Sequence, residues 1–307
     1  MTKVFIDGSA GTTGLRIRER LSQRKDLSVI ILPEELRKDI NARKNALNEA
    51  DIAFLCLPDP AAVEAVSLIE SDKVAVIDTS TAHRTCEGWA YGFPELSGNR
   101  NKIKASKRIA NPGCHATGFI ALVEPLIRNS VLSKTAELTC FSITGYSGGG
   151  KGMIAEYESP DKFQLLESPR QYALSQQHKH LKEIVKICSL ENAPVFCPIV
   201  SDFYSGMEVT VPLFKSQLNC TFDELKDIYR EYYNTPIVHF NDNADEQGFC
   251  AANKFSFKDD MEISVAGNED RILLISRFDN LGKGASGAAI QNMNILLGVD
   301  EAFGLNV

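Results

Sequence analysis

Residues 3–21 constrain the fold more than any other stretch of this 307-residue chain. Lys3-Val4-Phe5-Ile6-Asp7 has the apolar content of a short strand, Gly8-Ser9-Ala10-Gly11-Thr12-Thr13-Gly14 follows, and Leu15 to Leu21 is amphipathic at helical spacing. Strand, glycine loop and helix in that order open a dinucleotide-binding βαβ unit. Glycines let the backbone approach a pyrophosphate, whose charge the helix N-terminus then favours. The spacing is GxxGxxG rather than GxGxxG, so the string alone also fits a plain glycine turn. Gly8, Gly11 and Gly14 are expected to carry the phosphate approach, with Ser9, Thr12 and Thr13 hydrogen-bonding phosphate or ribose.

The next elements repeat the alternation. A second strand over Leu27 to Leu32 ends without the carboxylate that would take the ribose 2′-hydroxyl of NAD. Glu34 and Glu35 come next, then Arg37, Lys38, Arg43 and Lys44. The reading is NADP, with Arg37 the first residue for the 2′-phosphate; a solvated helix start would also explain Arg37 and Lys38. Asp51 to Leu57 reads as a buried parallel strand. Asp59 is expected to cap a helix over Ala61 to Glu70, with Pro60 in its first position. Val74 to Asp78 is the next strand, and polar Thr79 to Arg84 follows it at the carboxyl edge, where ligands bind. Together these predict a Rossmann-type, doubly wound parallel sheet.

The chemistry is expected at Ile109-Ala110-Asn111-Pro112-Gly113-Cys114-His115-Ala116-Thr117-Gly118. Pro112 and Gly113 force a turn, and the apolar run from Phe119 to Val123 reads as a helix, so Cys114 sits at a helix N-terminus. Unpaired N–H groups and the positive end of the macrodipole favour a thiolate there, and could hold an oxyanion beside it. A small buried Cys behind a turn is the alternative. Later, Gln176-Gln177-His178-Lys179-His180 opens a helix over Leu181 to Cys188. On a helix the two imidazoles diverge by roughly 200°, so one is expected to face Cys114. His180 is the choice, because His178 falls before the first turn. His115 points elsewhere on any helix, and His239 has no assigned role.

Beyond Cys114 the pattern changes. Strands are expected over Glu137–Thr144, Val195–Val200, Gly206–Phe214, Phe249–Phe257 and Ile272–Phe278, with a helix at Thr221–Tyr233 and an apolar one at Ala288–Leu297. Strands in succession with few helices predict a second domain of α+β type. Gly145-Tyr146-Ser147-Gly148-Gly149-Gly150-Lys151-Gly152 can wrap an anion, although a mobile surface loop explains such a string as well. The net charge of −7 argues against a nucleic-acid or anionic-membrane surface. No apolar run reaches spanning length and no hydrophobic leader core precedes the first strand, so a cytoplasmic protein is expected. The eight cysteines are scattered with no zinc-type spacing, which predicts reduced, mostly buried thiols and no metal.

A nucleotide unit, an activated Cys and a helix-borne His describe attack of a thiolate on an acyl carbonyl, with hydride exchanged with a nicotinamide. At these residues the chain resembles N-acetyl-gamma-glutamyl-phosphate reductase in its shorter, type 2 branch. The carriers are Gly8–Gly14, Ile77–Arg84, Tyr91-Gly92-Phe93-Pro94-Glu95-Leu96, Ala110–Cys114, His178–Ile184 and Asp279–Ala289, in the family's order across nearly the whole chain. The resemblance implies the fold of aspartate-semialdehyde dehydrogenase. An NADP-binding domain at 1–113 would be completed by the C-terminal helix at 281–307, and 114–280 would form a catalytic and dimerisation domain. It implies Cys114 as nucleophile, the base from His178–His180, and Arg84 near the substrate carboxylate. Asn280 and Gly282 would lie near the nicotinamide and phosphates. Ser80 is expected on the cofactor side, and Asn111, Ser147 and Gly148 on the substrate side.

The sequence departs from the longer branch at three places. His115 stands where that branch has an aromatic, His83 where it has Phe, and Ser205-Gly206-Met207 where it has Arg-Gly. The activity implied is NADPH-dependent reduction of N-acetyl-gamma-glutamyl phosphate to the semialdehyde, with release of phosphate, by a homodimer or homotetramer. Aspartate-semialdehyde dehydrogenase activity is the nearest alternative. A nucleotide-sensing regulator without catalysis and a Cys-dependent acyl transferase or hydrolase without redox chemistry are the others.

Overall fold

The structure is a computed structural model that describes residues 1–307. The chain forms two compact units, one of Met1–Pro112 with Ala285–Leu305, the other of Gly113–Gly284 with Asn306–Val307.

The first unit alternates β1 (Thr2–Asp7), α1 (Thr12–Leu21), β2 (Leu27–Ile30), α2 (Ile40–Glu49), β3 (Ile52–Leu55), α3 (Asp59–Ser67), β4 (Ala75–Asp78), β5 (Ala90–Tyr91), α4 (Asn99–Ala105) and β6 (Arg108–Ala110). Its six strands lie in the order β2-β1-β3-β4-β6-β5, all parallel. The order reverses between β1 and β3, the place where open α/β sheets bind ligands. Phe5, Ala53, Leu55 and Val76 pack one face against α2 and α3, and Val4, Ile6, Phe54 and Ile77 pack the other. Asp59 is not the N-cap of α3, which starts at Asp59 behind Pro58. Its carboxylate instead accepts the Thr81 N–H at 2.9 Å and the Thr81 hydroxyl, so it ties the loop after β4.

The second unit holds α5 (Cys114–Arg128), β7 (Thr139–Gly145), α6 (Gly150–Tyr157), β8 (Arg170–Gln171), α7 (His180–Cys188), β9 (Val195–Ser201), β10 (Met207–Phe214), α8 (Phe222–Tyr232), β11 (Val238–Phe240), β12 (Met261–Gly267) and β13 (Arg271–Phe278). The strands form a mixed sheet in the order β11-β12-β13-β10-β7-β9-β8. The last helix, α9 (Gly287–Leu297), belongs to the first unit, where it packs on α4, α1 and β4.

Helix α5 is buried from His115 to Ile127 and lies on β10 and β13. Gly118 permits that seat, since a Cβ there would come within 2.4 Å of Val209 Cγ2. Pro125 inside α5 has no N–H, which leaves the Ala121 carbonyl without its helical donor. The Tyr233 hydroxyl fills the gap, donating to Ala121 O at 2.7 Å.

Two expectations fail in this unit. Phe249–Phe257 is a run of turns, entered through Gly248 at φ +87°. The strand lies further on, at β12, where Glu262 breaks the apolar pattern; its carboxylate is buried and paired with buried Arg277 at 2.6 Å. The glycine run after β7 is not a loose loop either: Tyr146–Gly149 forms a 3₁₀ turn and Gly150 starts α6.

Candidate active site

In the first unit the glycine loop is shaped by close contacts. Gly8 has φ +87°, and a Cβ there would meet the Cys56 carbonyl oxygen at 2.2 Å. Gly14 sits in α1 against the Gly8 carbonyl, 2.4 Å from an added Cβ. Gly11 is the N-cap of α1, extended at φ −73° and ψ 168° with no side-chain cap, so the first N–H groups of α1, from Thr12 and Thr13 on, have no side-chain acceptor. A pocket of about 670 Å³ opens beside Gly8, Ser9 and Ala10, with Arg18, Arg37 and Lys38 on its wall. Arg37 reaches Glu34 only at 3.8 Å, and its buried Nε makes no hydrogen bond. Arg43 is committed elsewhere: buried, it binds Asp7 at 3.0 Å and Glu64 at 2.7 Å. Sequence reading missed Arg18, whose signal was its place one helical turn past Gly14.

At the carboxyl ends of β4 and β6 the expected polar residues hold one another. Asp78, fully buried, accepts the Ser80 hydroxyl at 2.7 Å and pairs with His83 Nδ1 at 2.6 Å. His83 stacks on Trp89. Arg84 Nε donates to the Asn111 carbonyl at 2.9 Å and Arg84 Nη2 to the Thr79 carbonyl at 3.0 Å. The Asn111 side chain donates to Ala285 O and accepts from Asn292 Nδ2.

In the second unit Cys114 is the first residue of α5, behind Gly113, whose cap is extended and has no side-chain partner. The Gly113 N–H donates to Glu183 Oε1 at 2.9 Å. Glu183 lies one turn into α7, so the N-terminal ends of α5 and α7 meet at the Cys114 turn. His180 is the first residue of α7 and His178 precedes it. The divergence expected of two helical histidines does not arise: the His180 N–H donates to His178 Nδ1 at 3.3 Å, and the rings meet edge to face at 4.7 Å. Burial, then Lys179, pushes His178 down to about 4.

His115 is the residue whose place the sequence reading misjudged. Its ring lies 5.7 Å from that of His178 and 5.6 Å from that of His180. Its Nδ1 is 2.6 Å from Ser142 Oγ and its Nε2 is 2.6 Å from the Tyr172 hydroxyl. Burial, with His178 and Lys179 adding to it, lowers its pKa to about 3, so the ring is neutral. Ser142 and Tyr172 carried no motif that could have found them.

Asn280 joins two further segments of this unit: its Oδ1 accepts the Gly206 N–H at 2.9 Å and its Nδ2 donates to Ser147 Oγ at 3.1 Å. Gly148 lies beside the same amide, 3.3 Å from an added Cβ. Ser205, where the longer branch has Arg, donates to buried Asp279 at 2.6 Å. Asp279 also accepts the Leu281 and Gly282 N–H groups, which closes the turn where a Gly282 side chain would strike the Lys258 carbonyl. The next glycine, Gly284, lies against Cys114, its would-be Cβ 2.9 Å from the Cys114 Cβ. None of the eight cysteines is in a disulfide; only Cys140 and Cys188 are buried, fewer than expected, and Cys86 is exposed. No helix is long and apolar enough to cross a membrane.

Two family models match this chain: the NAD binding domain of semialdehyde dehydrogenase over residues 3–106 and the semialdehyde dehydrogenase dimerisation domain over residues 114–280. The chain belongs to the semialdehyde dehydrogenase family, whose cofactor is a nicotinamide dinucleotide. It is 42% identical to N-acetyl-gamma-glutamyl-phosphate reductase 2 of a Nostoc species, over 99% of each chain. It is 43% identical to N-acetyl-gamma-glutamyl-phosphate reductase of Brucella ovis, over 96% of this chain and 99% of that one. Its place within the family is therefore among the N-acetyl-gamma-glutamyl-phosphate reductases, as the motifs implied. Aspartate semialdehyde dehydrogenase II of Vibrio cholerae, solved with ASA, shares the fold at TM-score 0.72 and 17% identity, covering 97% of this chain and 98% of that one. The Candida albicans aspartate semialdehyde dehydrogenase solved with NADP does so at 0.69 and 14%, covering 97% and 99%.

Proposed function

We propose that the protein reduces N-acetyl-gamma-glutamyl phosphate to N-acetylglutamate 5-semialdehyde with release of phosphate, using NADPH. The observation that carries the chemistry is Cys114 at the first position of α5, with the N-terminus of α7 and its imidazoles docked at the same turn. The uncapped helix end lowers the cost of a thiolate at Cys114. The thiolate attacks the acyl carbon, the C–O bond to phosphate breaks, and a thioester remains. His180 takes the thiol proton at the start; His178, held neutral and accepting at Nδ1, is the weaker base. Bound NADPH supplies the hydride that takes the thioester to the aldehyde level. Cys114 then leaves as thiolate and the semialdehyde departs.

The first unit's residues fit such a cofactor. Gly8 and Gly14 let the loop fold tightly on the Cys56 carbonyl and on itself, and the first N–H groups of α1, with no side-chain cap, are natural partners for a pyrophosphate. Arg37, with a buried Nε that makes no hydrogen bond at the pocket wall, suits a 2′-phosphate, and Lys38 and Arg18 add charge. Ser80 would be on the cofactor side; Arg84, Asn111, Ser147 and Gly148 would hold substrate, and Asn280 and Gly282 would frame the reacting groups. The assembly is a homodimer or homotetramer built through the second unit.

Assay in the phosphorolytic direction, with phosphate, NADP and either semialdehyde, tests the reading. Turnover of the N-acetylglutamate compound is expected; turnover of the aspartate compound alone would replace the substrate assignment.

A further inference from the structure

Tyr172 and His115 stand outside the roles just given, yet they form the most completely specified polar line around the nucleophile. Ser142 is fully buried on β7, and its hydroxyl makes one hydrogen bond, to His115 Nδ1 at 2.6 Å. A buried hydroxyl whose proton has no acceptor costs about 1–3 kcal/mol, so the serine donates and Nδ1 accepts. A neutral imidazole carries a single proton, which must then be on Nε2. Nε2–H donates to the Tyr172 oxygen at 2.6 Å, the one hydrogen bond that hydroxyl makes. The phenolic proton is therefore unused by the line. Tyr172 is half-buried.

We propose that Tyr172 is a further residue of the reaction, a fixed hydrogen-bond donor to the Cys114 thiolate, held in that role by His115 and, through it, by Ser142. The inference rests on Cys114 being the nucleophile. His115 follows Cys114 in α5, so the line is anchored one residue from the sulfur. The ring of Tyr172 also meets that of His178 edge to face at 6.1 Å, which places the phenol within the imidazole cluster. Burial first, and then the charge of Cys114, raises the phenol pKa, so it remains a protonated donor across the working range. His115 and Ser142 are positioning residues: neither donates to the sulfur, and each fixes the direction of the next bond. The other titratable and charged groups around this cluster are His178, Lys179, His180 and Glu183, with Asp279 and Lys283 on the turn whose Gly284 packs on Cys114.

The test is the pH dependence of iodoacetamide alkylation at Cys114, read by mass spectrometry in full-length protein. Preferential labelling of Cys114 at neutral pH in the unaltered protein checks the underlying reading by itself. In Tyr172→Phe the alkylation midpoint should move up by about one pH unit, the size of one hydrogen bond to a charged group. NADPH binding and melting temperature should be nearly unchanged. His115→Phe should give a similar shift, and the double variant no more than either alone, because both remove one donor. If His115→Phe does not fold, Tyr172→Phe decides alone. An unmoved midpoint in Tyr172→Phe overturns the proposal, as does full additivity of the two shifts.

Discussion

Two of the glycine-capped helix N-termini, those of α1 and α5, have different tasks in the proposed function. In α1 the cap is Gly11 at φ −73° and ψ 168°; in α5 it is Gly113 at φ −82° and ψ 146°. In neither does the cap residue supply a side-chain hydrogen bond to the helix. What differs is the first residue and its surroundings. Helix α1 begins with Thr12 and Thr13 beside a pocket walled by Arg18, Arg37 and Lys38, an arrangement for an anion that arrives and leaves. Helix α5 begins with Cys114, so in the proposed mechanism the anion is a group of the chain itself, and the neighbouring His115 and His178 imidazoles are neutral. On the proposed function, the same backbone device serves as a binding site or a reaction centre according to one side chain.

If that contrast is right, damage at one helix end should leave the other intact. The largest effect is expected from His180→Asn, which should slow acylation about 10²–10⁴-fold, the range for loss of a general base. NADPH affinity, by fluorescence titration, should not change. His178→Asn should cost much less, since burial and Lys179 lower its pKa to about 4 and make it a poor proton acceptor. Reversed sensitivity would exchange the two roles.

Gly8→Ala should weaken NADPH at least 100-fold and lower the melting temperature by several degrees, through a clash with the Cys56 carbonyl and an unfavourable left-handed backbone. Gly11→Ala, whose Cβ would be 3.6 Å from the nearest atom, should spare the fold. Cys114 alkylation should be unchanged in both. Arg37→Glu should raise the NADPH Michaelis constant tenfold or more and leave NADH nearly unaffected, as expected for a charge-assisted phosphate contact of about 1.5–3 kcal/mol. Unaltered NADPH kinetics would move the phosphate to Lys38, because Arg43 is neutralised by Asp7 and Glu64.

The smallest effect at neutral pH concerns acid stability. His115 has its pKa lowered in the folded protein, from 6.5 to about 3. The unfolded chain therefore takes up a proton below about 6.5 that the folded chain does not. Stability from this group is complete above that pH and falls as pH drops toward about 3. His115→Phe should flatten the loss of melting temperature between pH 6.5 and 4; an equal slope in both proteins would place the acid sensitivity elsewhere.

The two helix ends also differ in how far the sequence revealed them. Gly8 to Gly14 is contiguous, and backbone geometry is written locally in glycine, so the loop and its parallel sheet were readable. Cys114 was readable for the same reason, from Pro112 and Gly113. Its surroundings were not: Tyr172, Ser142, His115 and Glu183 come from four separate segments, and only the packing of α5 on the sheet and on α7 brings them together. Strand β12 was missed for a related cause. Glu262 looks like a surface residue until Arg277, fifteen residues on, is found buried against it.

The account turns on a covalent intermediate at Cys114, and the most direct measurement is to trap it. Protein mixed with the acyl phosphate and no NADPH, quenched in acid and digested, should carry the acyl group as a thioester on the Cys114 peptide, with one phosphate released per Cys114. The Cys114→Ser protein should bind NADPH and release no such burst. An acyl group on another residue, or a full burst from Cys114→Ser, would contradict the mechanism.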